Sequence, residues 1–190
     1  VMTDLIPGTA MAASMQNGDS AFAAIEPILT ATGGLTLAQV EGLTGLNGST
    51  IQNWVKRGWV AAPVGKRYGR RQLMRIILIN MLRDVMKLEN IIAIMRYING
   101  SVEDESDDII PDERLYDHLC AVIAQARRLQ TTDAAQIRRL ICSRLDDTAL
   151  AEASRGKLGS ALLVMTLAYI AAQIKRQADL AYAALEIESL

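Results

Sequence analysis

From Thr36 onward, apolar residues recur at the three- and four-residue spacing of helices that bury one face. Thr36 is placed to cap a helix running through Leu43, Gly45 to Gly48 reads as a tight turn, and Ser49 is placed to cap a second helix through Arg57. Ile51, Trp54 and Val55 share the inward face of that second helix, which leaves Ser49, Gln52, Asn53, Lys56 and Arg57 outward, with Thr50 at its first turn. Gly58 ends it. Trp59 and Val60 lead through Pro63 and Gly65 to Lys66, Arg67, Tyr68 and Gly69, a segment that reads as a short hairpin or wing. From Arg70 to Met86 the pattern is apolar on most sides, so this helix is expected at the centre of the core, with Arg71 and Arg75 one turn apart near its exposed start. A further helix is expected from Leu88 to Ile98, stopped at Asn99 and Gly100.

The same spacing returns beyond Pro111. Leu115, Leu119, Val122, Ile123 and Ala126 share a face of one helix, and Ile137, Leu140, Ile141 and Leu145 share a face of the next. Arg155 to about Ile187 reads as one long helix, apolar enough that it must bury surface against its neighbours or another subunit. Ahead of Gly33 the period fades. Residues 1 to 19 read as a mobile arm, and Ser20 to Thr30 as a short helix interrupted near Pro27. The expected fold class is therefore all-α: arm and short helix over 1–32, a winged helix-turn-helix over 33–100, an acidic linker over 101–112 and a helical carboxyl-terminal unit over 113–190.

Composition supports a helical core, since 51% of the 190 residues are apolar and only one is Phe. The net charge of −1 conceals a segregation: no acidic residue stands between Glu41 and Asp84, where Lys56, Arg57, Lys66, Arg67, Arg70, Arg71, Arg75 and Arg83 all fall. Such a block is the footprint of a polyanion-binding surface. Glu103, Asp104, Glu105, Asp107, Asp108, Asp112 and Glu113 follow as an acidic loop whose order lacks the alternating ligands and central Gly of a calcium site, so no metal is expected there. It reads as a solvated linker or a negative surface that repels DNA from one side. Cys120 and Cys142 are too far apart for a close-spaced metal motif, which fits a reduced, cytoplasmic setting. Residues 1 to 24 lack the basic region and apolar run of a signal peptide, so secretion is not expected. Leu158 to Gln173 falls short of the roughly 20 residues of a membrane span and is expected as a buried helix.

Little in the chain suggests catalysis. His118 is the only histidine, without a neighbouring nucleophile pattern, and there is no phosphate loop, carboxylate pair or metal-ligand cluster. No catalytic residue, cofactor or metal is expected. Trp54 and Trp59 have the spacing of core residues rather than of base-stacking platforms.

The stretch LTLAQVEGLTGLNGSTIQNWVKRG from Leu35 to Gly58, with Lys66, Arg67, Tyr68 and Leu73 after it, resembles the start of MerR-type regulators. That resemblance implies a helix, a turn, a recognition helix and an Arg-containing wing docked on DNA. The strings GGLTL (33–37), TIQNWVKRGWV (50–60), KRY (66–68), YING (97–100) and DESDDIIP (104–111) are more closely similar to an uncharacterised bacterial family known only as a domain of unknown function. MerR-type recognition helices present Arg then Tyr where this chain has Gln52 and Asn53, and their first helix has a small residue where it has Glu41; the wing is about one residue shorter. The implied docking mode persists with a different operator. The clustered cysteines of metal-sensing members are missing, so no effector is carried over.

The expected function is a bacterial DNA-binding transcription regulator on double-stranded DNA, as a homodimer or larger homo-oligomer, with a small-molecule or protein effector left open and no membrane role. Its expected contacts are Ser49, Thr50, Gln52, Asn53, Lys56, Arg57, Lys66, Arg67, Tyr68, Arg70, Arg71 and Arg75. The competing class is a non-enzymatic protein-protein interaction module that reuses the winged-helix fold.

Overall fold

The computed structural model describes residues 5–12, 20–102, 104 and 106–185. Eight helices account for most of them: α1 (Glu26–Thr32), α2 (Leu37–Thr44), α3 (Gly48–Lys56), α4 (Arg70–Leu82), α5 (Leu88–Asn99), α6 (Asp112–Arg128), α7 (Ala134–Asp146) and α8 (Glu152–Ala183). Among the described residues extended pairing is confined to isolated bridges, Leu5 with Ala12, Leu35 with Tyr68 and Val64 with Arg67. The protein is all-α.

Local chemistry sets most boundaries. Thr36 caps α2 by accepting from Gln39 N, while the Gln39 side chain accepts from Thr36 N, two free amides satisfied at once. Pro27 sits at the second position of α1, where its missing N–H costs nothing, so it starts that helix instead of interrupting it. α3 begins at Gly48, one residue before the cap expected at Ser49, and α4 stops at Leu82, short of Met86. The last helix runs from Glu152 to Ala183; the part of its expected span at residues 186–187 lies outside the described residues.

α4 is the central element. Leu73, Met74 and every residue from Ile76 to Ile79 are buried in it, against α2, α5, α6 and α8. The core is one continuous cluster from Ile6 to Tyr169, filled by Trp54, Ile77, Leu115, Tyr116, Ile137, Leu162 and their neighbours. α8 is long and apolar enough, by length and composition, to cross a membrane. Its first half is packed inside the molecule through Leu158, Ala161, Leu162, Met165 and Tyr169, while all of residues 174–185 are exposed.

The amino-terminal segment departs from the expected mobile arm wherever it is described. Residues 5–12 form a strap across the bundle, with Ile6 only 1% exposed. Ala10 N donates to Leu43 O at 2.8 Å, Tyr116 Oη donates to Pro7 O at 2.8 Å, and Asn80 Nδ2 donates to both Gly8 O and Thr44 O at 3.0 Å. Gly8 (φ +76°) lies so close to α4 that a Cβ there would stand 2.7 Å from the Ile77 side chain. These contacts have no sequence period, because the strap satisfies its backbone partly with groups of distant elements, the Leu43 carbonyl and the Asn80 and Tyr116 side chains.

Candidate nucleic-acid interface

The candidate surface starts from the outer face of α3. Ile51 and Trp54 are buried, and Ser49, Gln52, Asn53, Lys56 and Arg57 are exposed, with Thr50 partly so. Glu41 fixes the start of this helix: its Oε1 accepts from Gly48 N at 2.5 Å, placing a carboxylate from α2 at the positive end of α3. The residue that departs from the MerR-type pattern thus locks the two helices of the turn together. Nothing in the sequence marked this contact, because Asn47 and Ser49 are themselves capping residue types, yet Asn47 at the cap of α3 makes no side-chain cap bond.

After α3 the chain reverses at Gly58 and buries Trp59 and Val60, and the Arg57 guanidinium lies 5.0 Å from the centre of the Trp59 ring. Val64 and Arg67 then exchange two backbone hydrogen bonds at 3.0 and 2.9 Å around Gly65 and Lys66, both left-handed with φ of 56° and 63°. This is a two-residue turn with positive φ at both central positions, the form that matches strand twist. It presents Lys66 at its tip. Tyr68 pairs reciprocally with Leu35 at 2.7 and 2.9 Å, which moors the turn to the segment entering α2. Arg67 Nη1 adds a bond to Gly34 O at 2.8 Å. Gly34 has φ +100°, and a Cβ there would meet Tyr68 O at 3.1 Å and Arg67 Cβ at 3.2 Å, so a glycine is needed for this approach.

Four of the twelve expected contacts stand elsewhere. Arg75 was expected near an exposed helix start but is 2% exposed, 3.4 Å from Asp112 of α6, because that side of α4 faces the core. Tyr68 is 4% exposed, and burial pushes its phenol pKa up; its ring fills the core beneath the turn and does not reach outward for a phosphate. Arg70 is exposed but committed: it bonds Glu26 of α1 at 2.5 Å, lies 3.6 Å from Glu113 and covers the Phe22 ring. Arg71 lies 3.9 Å from Asp108 and bonds Asp104 O at 3.4 Å. The acidic loop therefore folds back onto α4 and α5, with Ile109 N donating to Ile98 O and Asn99 bridging Ile110 and Asp112. Glu103 and Glu105 lie outside the described residues.

No group of three or more His, Cys, Asp or Glu side chains among the described residues could hold a metal. His118 accepts from Arg144 Nε through Nδ1 at 3.0 Å, between α6 and α7. Burial, then the Arg144 and Arg114 charges, hold its pKa below the usual histidine value. Cys120 is buried and its thiol pKa pushed up by burial, while Cys142 is exposed on α7.

Residues 30–119 match the family described as Domain of unknown function (DUF1836). The matched stretch runs from α1 into α6 and so contains α2, α3, the Gly65–Lys66 turn, α4 and α5. The chain is 33% identical over 94 residues to the uncharacterized protein YkrK of Bacillus subtilis (strain 168), a match covering 47% of this chain and 40% of that relative's length. No solved structure matches the chain.

Proposed function

We propose that this chain is a cytoplasmic, non-enzymatic transcription regulator that binds double-stranded DNA through a MerR-like winged helix-turn-helix. One observation carries the reading: the polar face of α3 and the Lys66 tip are exposed, moored by hydrogen bonds to Glu41, Leu35 and Gly34, and fall within a 42-residue stretch, 42 to 83, that has no acidic side chain. In this reading α3 enters the major groove. Gln52 and Asn53 present amides, each a donor and an acceptor, to base edges. Ser49, Thr50, Lys56 and Arg57 take flanking phosphates, and Lys66 and Arg67 reach the backbone beside the groove.

In the same reading the chain forms a homodimer through α8. Val164, Leu167, Ala171, Ile174, Ala178, Ala181 and Leu185 alternate at three- and four-residue steps, the repeat of a coiled-coil seam. Six of these seven are exposed and Leu167 is partly so. A second copy of the same helix has the matching register, and the three alanines let two such helices approach closely. Two copies of α3 would then face half-sites about 34 Å apart, or a multiple of it.

The test is a fluorescence-anisotropy titration of the chain with a random duplex pool at two salt concentrations, repeated for Lys66→Ala with Arg67→Ala. With Lys56, Arg57, Lys66 and Arg67 on phosphates, the log-log salt slope is expected to be about −3.6 for each chain engaged, and the alanine pair should roughly halve it. A folded native chain that binds no duplex at low salt overturns the reading in favour of a protein-interaction module.

A further inference from the structure

A cleft of about 410 Å³ lies between the strap at residues 5–9, the end of α2, the end of α4 and the facing sides of α6 and α8. This is within the size range of small-molecule sites. Three guanidinium groups line it from three places in the fold: Arg83 just after α4, Arg127 in the last turn of α6, and Arg176 on α8. Asp84 is the one carboxylate among the described lining residues. Its oxygens stand 3.9 Å from Arg83 Nε and 3.9 Å from Arg176 Nη2, close enough to pair charges but beyond hydrogen-bond reach. Asp84 therefore offsets one of three positive charges without occupying the donor forks. Arg127 has an aromatic neighbour instead, with its guanidinium 5.8 Å from the centre of the Tyr169 ring.

The opposite wall is already built. Asn80 ties Gly8 and Thr44 together through its amide nitrogen, and its Oδ1 accepts from Arg83 Nε at 2.9 Å, which orients that guanidinium. A concave site with two guanidinium charges that no carboxylate among the described residues offsets, and with a fixed wall, is suited to an anion that several arginines can grip at once, since their planar forks match carboxylate and phosphate oxygens.

We propose that this cleft binds a small polyanion, a compound carrying two or more negative charges as carboxylates or phosphate. None of its basic residues belongs to the α3 face. The strap that forms one wall also bonds the last turn of α2, with Ala10 N donating to Leu43 O, and Asn80 of α4 joins Gly8 O to Thr44 O, so a ligand held between Arg127, Arg176 and the strap bears on the helix that positions α3. On the regulator reading, and resting on it, the ligand is an effector; the binding itself does not depend on that reading.

The test is isothermal titration calorimetry of the full chain with pyrophosphate and, separately, citrate, in low-chloride buffer without DNA. The chain is compared with Arg127→Gln, Arg176→Gln and their combination, all at exposed positions, and with Lys66→Ala plus Arg67→Ala as a control. Saturable binding of at least one probe at one site per chain is expected, weakened about tenfold or more in the combined variant and unchanged in the control. The probe that binds tells whether phosphate or carboxylate is preferred. No saturable binding of either probe, binding insensitive to the two glutamine substitutions, or binding lost in the control overturns the proposal. Because no DNA is present, these outcomes are separate from the fate of the regulator reading.

Discussion

Glu41 reaches from one helix to start another. The carboxylate takes the place of the cap bond that the Asn47 side chain does not make at the start of α3, so Glu41→Ala should cost about 1 kcal/mol in urea unfolding, while Glu41→Gln, which keeps an acceptor, should cost less. Arg75 and Asp112 carry a larger stake. Both are almost fully buried, Asn99 Nδ2 donates to Asp112 Oδ1 at 3.1 Å, and Arg75 Nε and Nη2 have no hydrogen-bond partner among the described residues. Asp112→Ala leaves a buried guanidinium without its counter-charge and should destabilise by about 3–5 kcal/mol, also read from urea unfolding. His118 gives a pH signature. Its folded pKa lies below the unfolded value of 6.5, so the unfolded chain takes up the proton first as pH falls. Stability should be complete above pH 6.5 and decline below it, and a urea midpoint compared at pH 7.5 and 5.5 should fall in the native chain and fall less in His118→Gln.

At the scale of elements, regular spacing was readable and partnership was not. The helices from α2 to α8 lie close to where the period of apolar residues put them, because each buries one face against the same core. Ser49, Gln52, Asn53, Lys56 and Arg57 were legible as an outward face for the same reason. Arg75 was not, since its charge suggested solvent and only the position of Asp112, 37 residues later, explains its burial. The strap was equally hidden, its bonds running to Asn80 and Tyr116 on distant helices. α8 shows the limit in another way. Its seam continues past the body of the molecule, and on the dimer reading Ile174→Glu with Ala178→Glu, at exposed positions, should halve the mass measured by light scattering while leaving helicity unchanged. An unchanged mass removes α8 as the contact between copies.

Taken as a whole, the molecule separates its charges. The acidic loop is drawn onto α4 and α5, where it occupies Arg71 and, through Asp112, Arg75, while Glu26 and Glu113 occupy Arg70. Lys56, Arg57, Lys66 and Arg67 have no ion-pair partner among the described residues and share one region around α3 and its following turn. A charge surface of this kind can attract any polyanion, so position has to be separated from net charge. The most direct measurement is anisotropy binding to duplex DNA at low salt for two charge-reversed proteins of equal net charge: Lys56→Glu with Arg57→Glu on the α3 face, and Arg138→Glu with Arg139→Glu on the exposed side of α7. The account predicts that the first abolishes binding and the second leaves it within about threefold of the native chain, because remote exposed charges are screened beyond roughly 10 Å. Equal loss in both, or binding kept in the first, would contradict it.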